Sequence, residues 1–317
     1  MTSLTDESAS RSPTHSPLLP PLTEAVVQRA REGLAAAHDR HARAAVETSL
    51  VNGEAVAEGK PEYRINGVLR RNLLGIFINA MFRVRVEHAD RIPTGPVMLA
   101  PNHLNHIDPF FVLSQLPAHP YYYVLGDART MYNKAWKRWM VRRIGGVIPL
   151  DRIWKEEMAV IEAAKDGHPE LAELAADIER DVPTGGSLDV LRRIDRIIQG
   201  IFARRDCLVI FPEGGLGTQE GHLRVPLKRG TVMYAMRAGV PIVPVGLIGN
   251  RDLFLRKELT IRFGEPLLFP QDHRPKPRAV QVAVESLETA IQGLIDPNYH
   301  EPTGRKPFNH LLNHMFW

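Results

Sequence analysis

One cysteine, Cys207, stands among 317 residues, so no disulfide can close within the chain and a reducing, cytoplasmic setting is expected. It sits in the apolar run Cys207-Leu208-Val209-Ile210-Phe211, where a thiol serves as a small hydrophobe rather than a nucleophile. No run of about 18 or more apolar residues occurs, so a membrane-spanning helix is not expected. Residues 1–21 lack the basic-then-apolar build of a secretory signal. They are rich in Ser, Thr and Pro and read as a disordered tail. Charge of neither sign dominates: the net charge is +4 and the pI near 9.2, which suits an anionic partner such as phospholipid headgroups or a phosphorylated substrate. There is no basic block interleaved with aromatics and no zinc-finger spacing, which argues against nucleic acid. Internal repeats are absent, and no P-loop or GxGxxG fingerprint is present.

What is present is a chain 44% hydrophobic, enough for a packed core. Thr23 to Val51 is Ala-rich with apolar residues at helical spacing (Val26, Val27, Ala30, Leu34), and Asn52 to Gly59 reads as a loop. Gly67 to Val86 reads as a helix whose basic and apolar sides suit a membrane interface or, equally, an ordinary core face. Strand and helix signals then alternate. Short apolar strands are expected at Val97–Ala100, Tyr121–Leu125, Val147–Leu150, Leu208–Phe211, Pro241–Leu247 and Leu259–Phe263. Helices are expected from Asp108-Pro109, over Thr130–Ile144, over Arg229–Ala238 with Gly239 as C-cap, and over Val280–Ile295. This alternation predicts an α/β fold, a largely parallel sheet covered by helices on both faces. The expected organisation is a tail (1–21), an N-terminal helical segment (22–66), a main domain (67–296) with a helical insertion (154–203), and a C-terminal tail (297–317). Two breaks divide the insertion into three helices, with Ser187 as N-cap of the last.

Chemistry concentrates in Pro101-Asn102-His103-Leu104-Asn105-His106-Ile107-Asp108-Pro109, between a strand and a helix. A base that removes a hydroxyl proton needs a group titrating near working pH, which histidine supplies, and a carboxylate to fix its tautomer. Asp108, five residues after His103, can turn back to do so, as in a triad whose hydroxyl comes from the substrate. Other readings stand beside this one: Asp108 as a helix cap, His106 as a polar loop residue, or His103, His106 and Asp108 as metal ligands of a hydrolase. Glu213 and Gly214 end a strand and open a glycine-rich loop suited to an anion or to a plain turn. Arg152 follows a strand. In a parallel sheet it shares an edge with His103 and Glu213, where it can hold a phosphate or pair with Asp151 or Glu156.

Asn102-His103 with Asp108, then Gly145–Arg152, Phe211-Pro212-Glu213-Gly214, and Val240-Pro241-Ile242-Val243-Pro244-Val245 resemble, in order, the four motifs of the glycerolipid acyltransferase family, which includes 1-acylglycerol-3-phosphate acyltransferase. The similarity spans roughly residues 67–270. It implies that His103 is the general base and Asp108 its orienter, that Arg152 contacts the acceptor phosphate, and that Glu213 and Gly214 help hold the acceptor. Where the family carries Thr-Arg-Ser after Glu-Gly, this chain has Gly215-Leu216-Gly217-Thr218, which leaves Arg224 and Lys228 as candidates for the missing cation.

The resemblance therefore implies transfer of a fatty acyl group from acyl-CoA or acyl carrier protein to a glycerophospholipid precursor, foremost lysophosphatidate, with no cofactor and no metal. Acylation of another lipid or metabolite hydroxyl is the variant reading. The enzyme would sit peripherally or monotopically on a membrane. The helix Thr130–Ile144, with Lys134, Arg138 and Arg142 beside Trp136 and Trp139, offers one further surface for headgroups or an acidic carrier. The apolar stretch Phe308–Trp317 is another segment that could dock on the core or dip into an interface.

Overall fold

The computed structural model describes residues 19–61, 64–182 and 188–315. Most of the expected N-terminal tail, the cap at Ser187, and Phe316 and Trp317 lie outside them. Two helices come first, α1 (Glu24–His38) and α2 (Arg40–Ala57). The single helix expected from Thr23 is broken at Asp39, whose carboxylate accepts from the His41 and Ala42 N–H groups and so caps α2. The residues read as a loop after Asn52 continue α2 to Ala57.

Next come α3 (Gly67–Met81) and β1 (Arg83–Glu87). The expected helix thus stops short: Arg83-Val84-Arg85-Val86-Glu87 alternates with period two and pairs with a late strand instead of extending the helix. Then follow β2 (Met98–Pro101), α4 (Asp108–Gln115), β3 (Tyr122–Asp127), α5 (Ala128–Tyr132), α6 (Ala135–Ile144) and β4 (Val147–Leu150). Asn133-Lys134 divides into two the helix read over Thr130–Ile144. Residues 154–203 hold α7 (Lys155–Lys165), α8 (Ala172–Asp181) and α9 (Leu188–Ala203). The chain continues through β5 (Cys207–Val209), α10 (Gly230–Ala238), β6 (Ile242–Ile248), β7 (Glu258–Phe263), α11 (Pro277–Gln292) and α12 (Asn309–His314). Gly239 closes α10 in the left-handed region, φ 67°, as its sequence position implies.

The fold is α/β. One seven-stranded sheet runs in the order β1-β7-β6-β2-β5-β3-β4. The strands β2 to β6 are mutually parallel, while β7 is antiparallel to β6 and parallel to β1. Helices cover both faces. Side-chain alternation divides the strands between them: Met98, Ala100 and Ile242 join α2, α9, α10 and α11 on one face, and Leu99, Val243 and Val245 join α3, α4 and α12 on the other. In α9, Ile194, Ile197, Ile198 and Ile201 recur at helical spacing and are all fully buried, each contributing about 1.5–3 kcal/mol of burial free energy. Parallel pairing of five strands has a direct consequence: the carboxyl ends of β2, β3, β4, β5 and β6 share one edge.

Candidate active site

That edge gathers the residues the motifs single out. β2 ends at Pro101, and Asn102 carries its ladder one step further with a side chain. Its Nδ2 donates to the Leu247 carbonyl at 3.1 Å, and its Oδ1 accepts from the Leu247 N–H at 2.6 Å, tying the loop to β6. The chain then turns, and His103 comes to rest with its ring on Phe211, centroids 4.2 Å apart. Its side chain is 16% exposed, so one ring edge stays open to a substrate.

Nδ1 of His103 lies 2.9 Å from Oδ2 of Asp108, whose side chain is 0% exposed. The same Oδ2 accepts from the Leu104 N–H at 2.7 Å and the Asn105 N–H at 2.9 Å, while Oδ1 accepts from Asn250 Nδ2 at 2.6 Å. Every neighbour is a donor, so Nδ1 of His103 carries its proton toward the carboxylate, and in the neutral form of the ring the lone pair falls to Nε2. The helix-cap reading of Asp108 is corrected here. Ile107 is the N-cap of α4, Asp108 is its first residue, and the carboxylate points back into the loop.

His106 is not part of this pair. Burial, then the charges of His103, Lys137 and Arg29, push its pKa down to about 3, and the ring stays neutral. Nor do His103, His106 and Asp108 form a ligand set: among the described residues no group of three or more His, Cys, Asp or Glu side chains gathers where an ion could be held.

Glu213 follows β5 and is 1% exposed. Oε1 accepts from the His103 backbone N–H at 2.6 Å and Oε2 from the Arg224 N–H at 2.8 Å. The Gly217 N–H donates back to the His103 carbonyl at 2.7 Å. The glycine-rich loop thus holds the His103 loop by its backbone. Burial pushes the Glu213 pKa up to about 7, against the pull of the two N–H donors and with Asp108 adding to the rise.

Arg152 extends from β4 to the same edge, 34% exposed. Its partner is Asp127, Nε to Oδ1 at 3.6 Å, rather than Asp151 or Glu156, and its carbonyl accepts from the buried Arg129, which is paired with Glu157. Two more cations meet it over the glycines. A Cβ on Gly215 would strike Arg224 and come within 3.7 Å of Arg152 Nη2, and one on Gly214, at φ 63°, would lie 2.8 Å from the Lys228 stem. These glycines make the room that the cations occupy. Burial, then Arg152, holds the Arg224 guanidinium below its ordinary value, and burial, then Arg224 and Arg152, does the same to Lys228. No carboxylate pairs with Arg224 or Lys228 among the described residues. Three mutually repelling, partly buried cations thus concentrate positive charge at the sheet edge that carries the His103–Asp108 pair, an arrangement that an anion would relieve.

The family model for Acyltransferase matches residues 83–248, more than half of the chain. The chain belongs to the acyltransferase family. The matched span runs from β1 to β6 and contains His103, Asp108, Arg152, Glu213, Gly214, Arg224 and Lys228. A solved structure, the 1-acyl-sn-glycerophosphate (LPA) acyltransferase PlsC from Thermotoga maritima, is 17% identical over 85% of each chain, with a TM-score of 0.38. No curated protein matches the chain. The motif reading of this acyltransferase missed Asn250 and Glu220. Both lie beyond or between the motifs, and nothing in local spacing marks them. Only the fold brings Asn250 to Asp108 and Glu220 to the backbone on either side of Asn250.

Proposed function

We propose that this acyltransferase moves a fatty acyl group from an acyl thioester to the free hydroxyl of lysophosphatidate, giving phosphatidate. The observation that carries the reading is the cluster of Arg152, Arg224 and Lys228 beside the His103–Asp108 pair, a place for a phosphate next to a base. Nε2 of His103 removes the hydroxyl proton as the oxygen attacks the thioester carbonyl. The tetrahedral intermediate expels the thiolate, which takes the proton back from the imidazolium that Asp108 stabilises. The base supplies about 10²–10⁴-fold of the rate. Arg224 takes the part that the departure after Gly214 left open.

A lipid acceptor requires access to a lipid surface. Among the described residues no helix is long and apolar enough to cross a membrane. α3 instead exposes Leu69, Leu73 and Ile76 along one side, Ile76 at 70%, and Phe308 just before α12 and Leu311 within it are exposed as well. Both helices cover the same sheet face as α4, which opens at the catalytic loop. Peripheral binding through this apolar side brings the site to the interface.

The test is thiol release from long-chain acyl-CoA and from acyl carrier protein, with and without lysophosphatidate, for wild type and His103→Ala. Acceptor-dependent release that the folded variant lacks supports the reading. Release that needs no acceptor and is equal in the variant overturns it.

A further inference from the structure

We propose that Asn250 is a positioning residue for acyl transfer, its amide locking the Asp108 carboxylate and, through it, the tautomer and aim of the His103 ring. The inference rests on His103 acting as the base. Asp108 receives His103, Leu104 and Asn105 on Oδ2 alone. Oδ1 has Asn250 Nδ2, at 2.6 Å, as its hydrogen-bond partner among the described residues. Without that contact the carboxylate can pivot about its Cβ–Cγ bond, and the ring that leans on it pivots too.

The Asn250 amide has one workable orientation. Reversed, its oxygen would face the carboxylate. As it stands, the side chain is 0% exposed and its Oδ1 has no hydrogen-bond partner among the described residues. An asparagine kept only for packing would not leave a buried acceptor orphaned to donate to a carboxylate.

Its backbone is held from two sides. Glu220 accepts from the N–H groups on either side, Gly249 at 2.9 Å and Arg251 at 3.1 Å. Beyond it, Asn313 of α12 accepts from the Leu253 N–H at 2.9 Å, and both Asn309 and Asn313 donate to the Leu253 carbonyl at 3.0 Å. Asn313 also accepts from Asn105 in the catalytic loop at 3.3 Å. The glycine-rich loop therefore holds the backbone on either side of Asn250, and the C-terminal helix holds Leu253, three residues on. The titratable groups around Asp108 are His103, Glu213 and Glu220, with Lys257 set against Glu220.

The experiment compares full-length wild type, Asn250→Ala and Asn250→Asp in acyl transfer from long-chain acyl-CoA to lysophosphatidate across pH, with thermal unfolding and ¹⁵N-histidine NMR in parallel. Asn250→Ala is expected to keep KM for both substrates within about twofold and lose kcat about ten- to a hundredfold. The acidic limb of its kcat profile moves to higher pH, because a carboxylate relieved of one donor holds a protonated imidazole more tightly. Asn250→Asp donates only when protonated, so its activity relative to wild type rises as pH falls. The downfield Nδ1–H resonance that His103→Ala deletes shifts or broadens in Asn250→Ala. That signal needs no substrate, so its response upholds the positioning role even if lysophosphatidate proves not to be the acceptor. Should Asn250→Ala not fold, Asn250→Asp carries the pH test. An unchanged kcat profile and NMR signal in the folded variants overturn the proposal. So does a loss that follows thermal stability alone and has no pH signature.

Discussion

The carboxylate of Glu213 reaches the backbone N–H of His103 at 2.6 Å, so the third motif grips the main chain of the first. Its other oxygen accepts from the Arg224 N–H, and one residue thereby fixes the backbone of both His103 and Arg224.

The burial of this carboxylate makes stability depend on pH. Burial raises the Glu213 pKa from its ordinary 4.5 to about 7, so the folded state keeps a proton that the unfolded chain has released. The associated stability is fully present below about 4.5 and is lost as pH rises through about 7. At 1.36 kcal/mol per pKa unit the effect is at most about 3 kcal/mol. Urea unfolding of wild type and Glu213→Gln at pH 5 and pH 7.5 checks it. The variant should show a smaller loss across the window, and an equal loss would contradict the assignment.

Asp108→Asn separates charge from geometry. The Asn250 amide can turn over to accept from the new amide, so the loop keeps its hydrogen bonds and the protein remains folded. The imidazolium formed during transfer loses its counter-charge, and kcat falls by about 10²–10⁴-fold, comparable to the effect of charge loss in a triad. Steady-state kinetics beside a melting curve test this; a slow variant that is also unfolded would refute it.

Arg224→Ala removes a cation that, on the proposed function, faces the acceptor, and it leaves the His103–Asp108 pair intact. KM for lysophosphatidate should rise about ten- to a hundredfold, the worth of one hydrogen bond to a charged group, while KM for the acyl donor stays put. The dependence of KM on ionic strength should weaken in parallel. A change confined to the donor would place Arg224 on the other substrate.

Leu73→Asp with Ile76→Asp charges the exposed side of α3 without touching the core, since both side chains face solvent. Co-sedimentation with anionic phospholipid vesicles should fall several-fold while the melting temperature is retained. Binding equal to wild type would move the membrane surface elsewhere, with the Trp136 and Trp139 side of α6 next in line.

Much of the architecture is legible in one dimension because it rests on local periodicity. The four-residue apolar runs of β2 and β4, the isoleucine stripe of α9 and the glycine that closes α10 each declare their element within a dozen residues. The misses have local causes too. Asp39 caps α2 inside an Ala-rich run whose helical spacing continues on both sides, and the alternation of Arg83 to Glu87 follows α3 with only Phe82 between them. The antiparallel β6–β7 pair is different, because no residue in either strand states the direction of its neighbour.

The site divides along the same line. The sequence alone determined which residue types stand at the strand ends, His103 with Asp108 five positions on, Glu213 before its glycines and Arg152 after β4, because these depend on motif spacing. The tertiary structure decided what each one touches. It turned Asp108 away from the helix end, gave both Glu213 oxygens to backbone N–H groups, drew Arg224 and Lys228 over the glycines, and brought Asn250 across 142 positions to the carboxylate. Hydrogen bonds act over about 3 Å, and a parallel sheet decides which distant strand ends come that close.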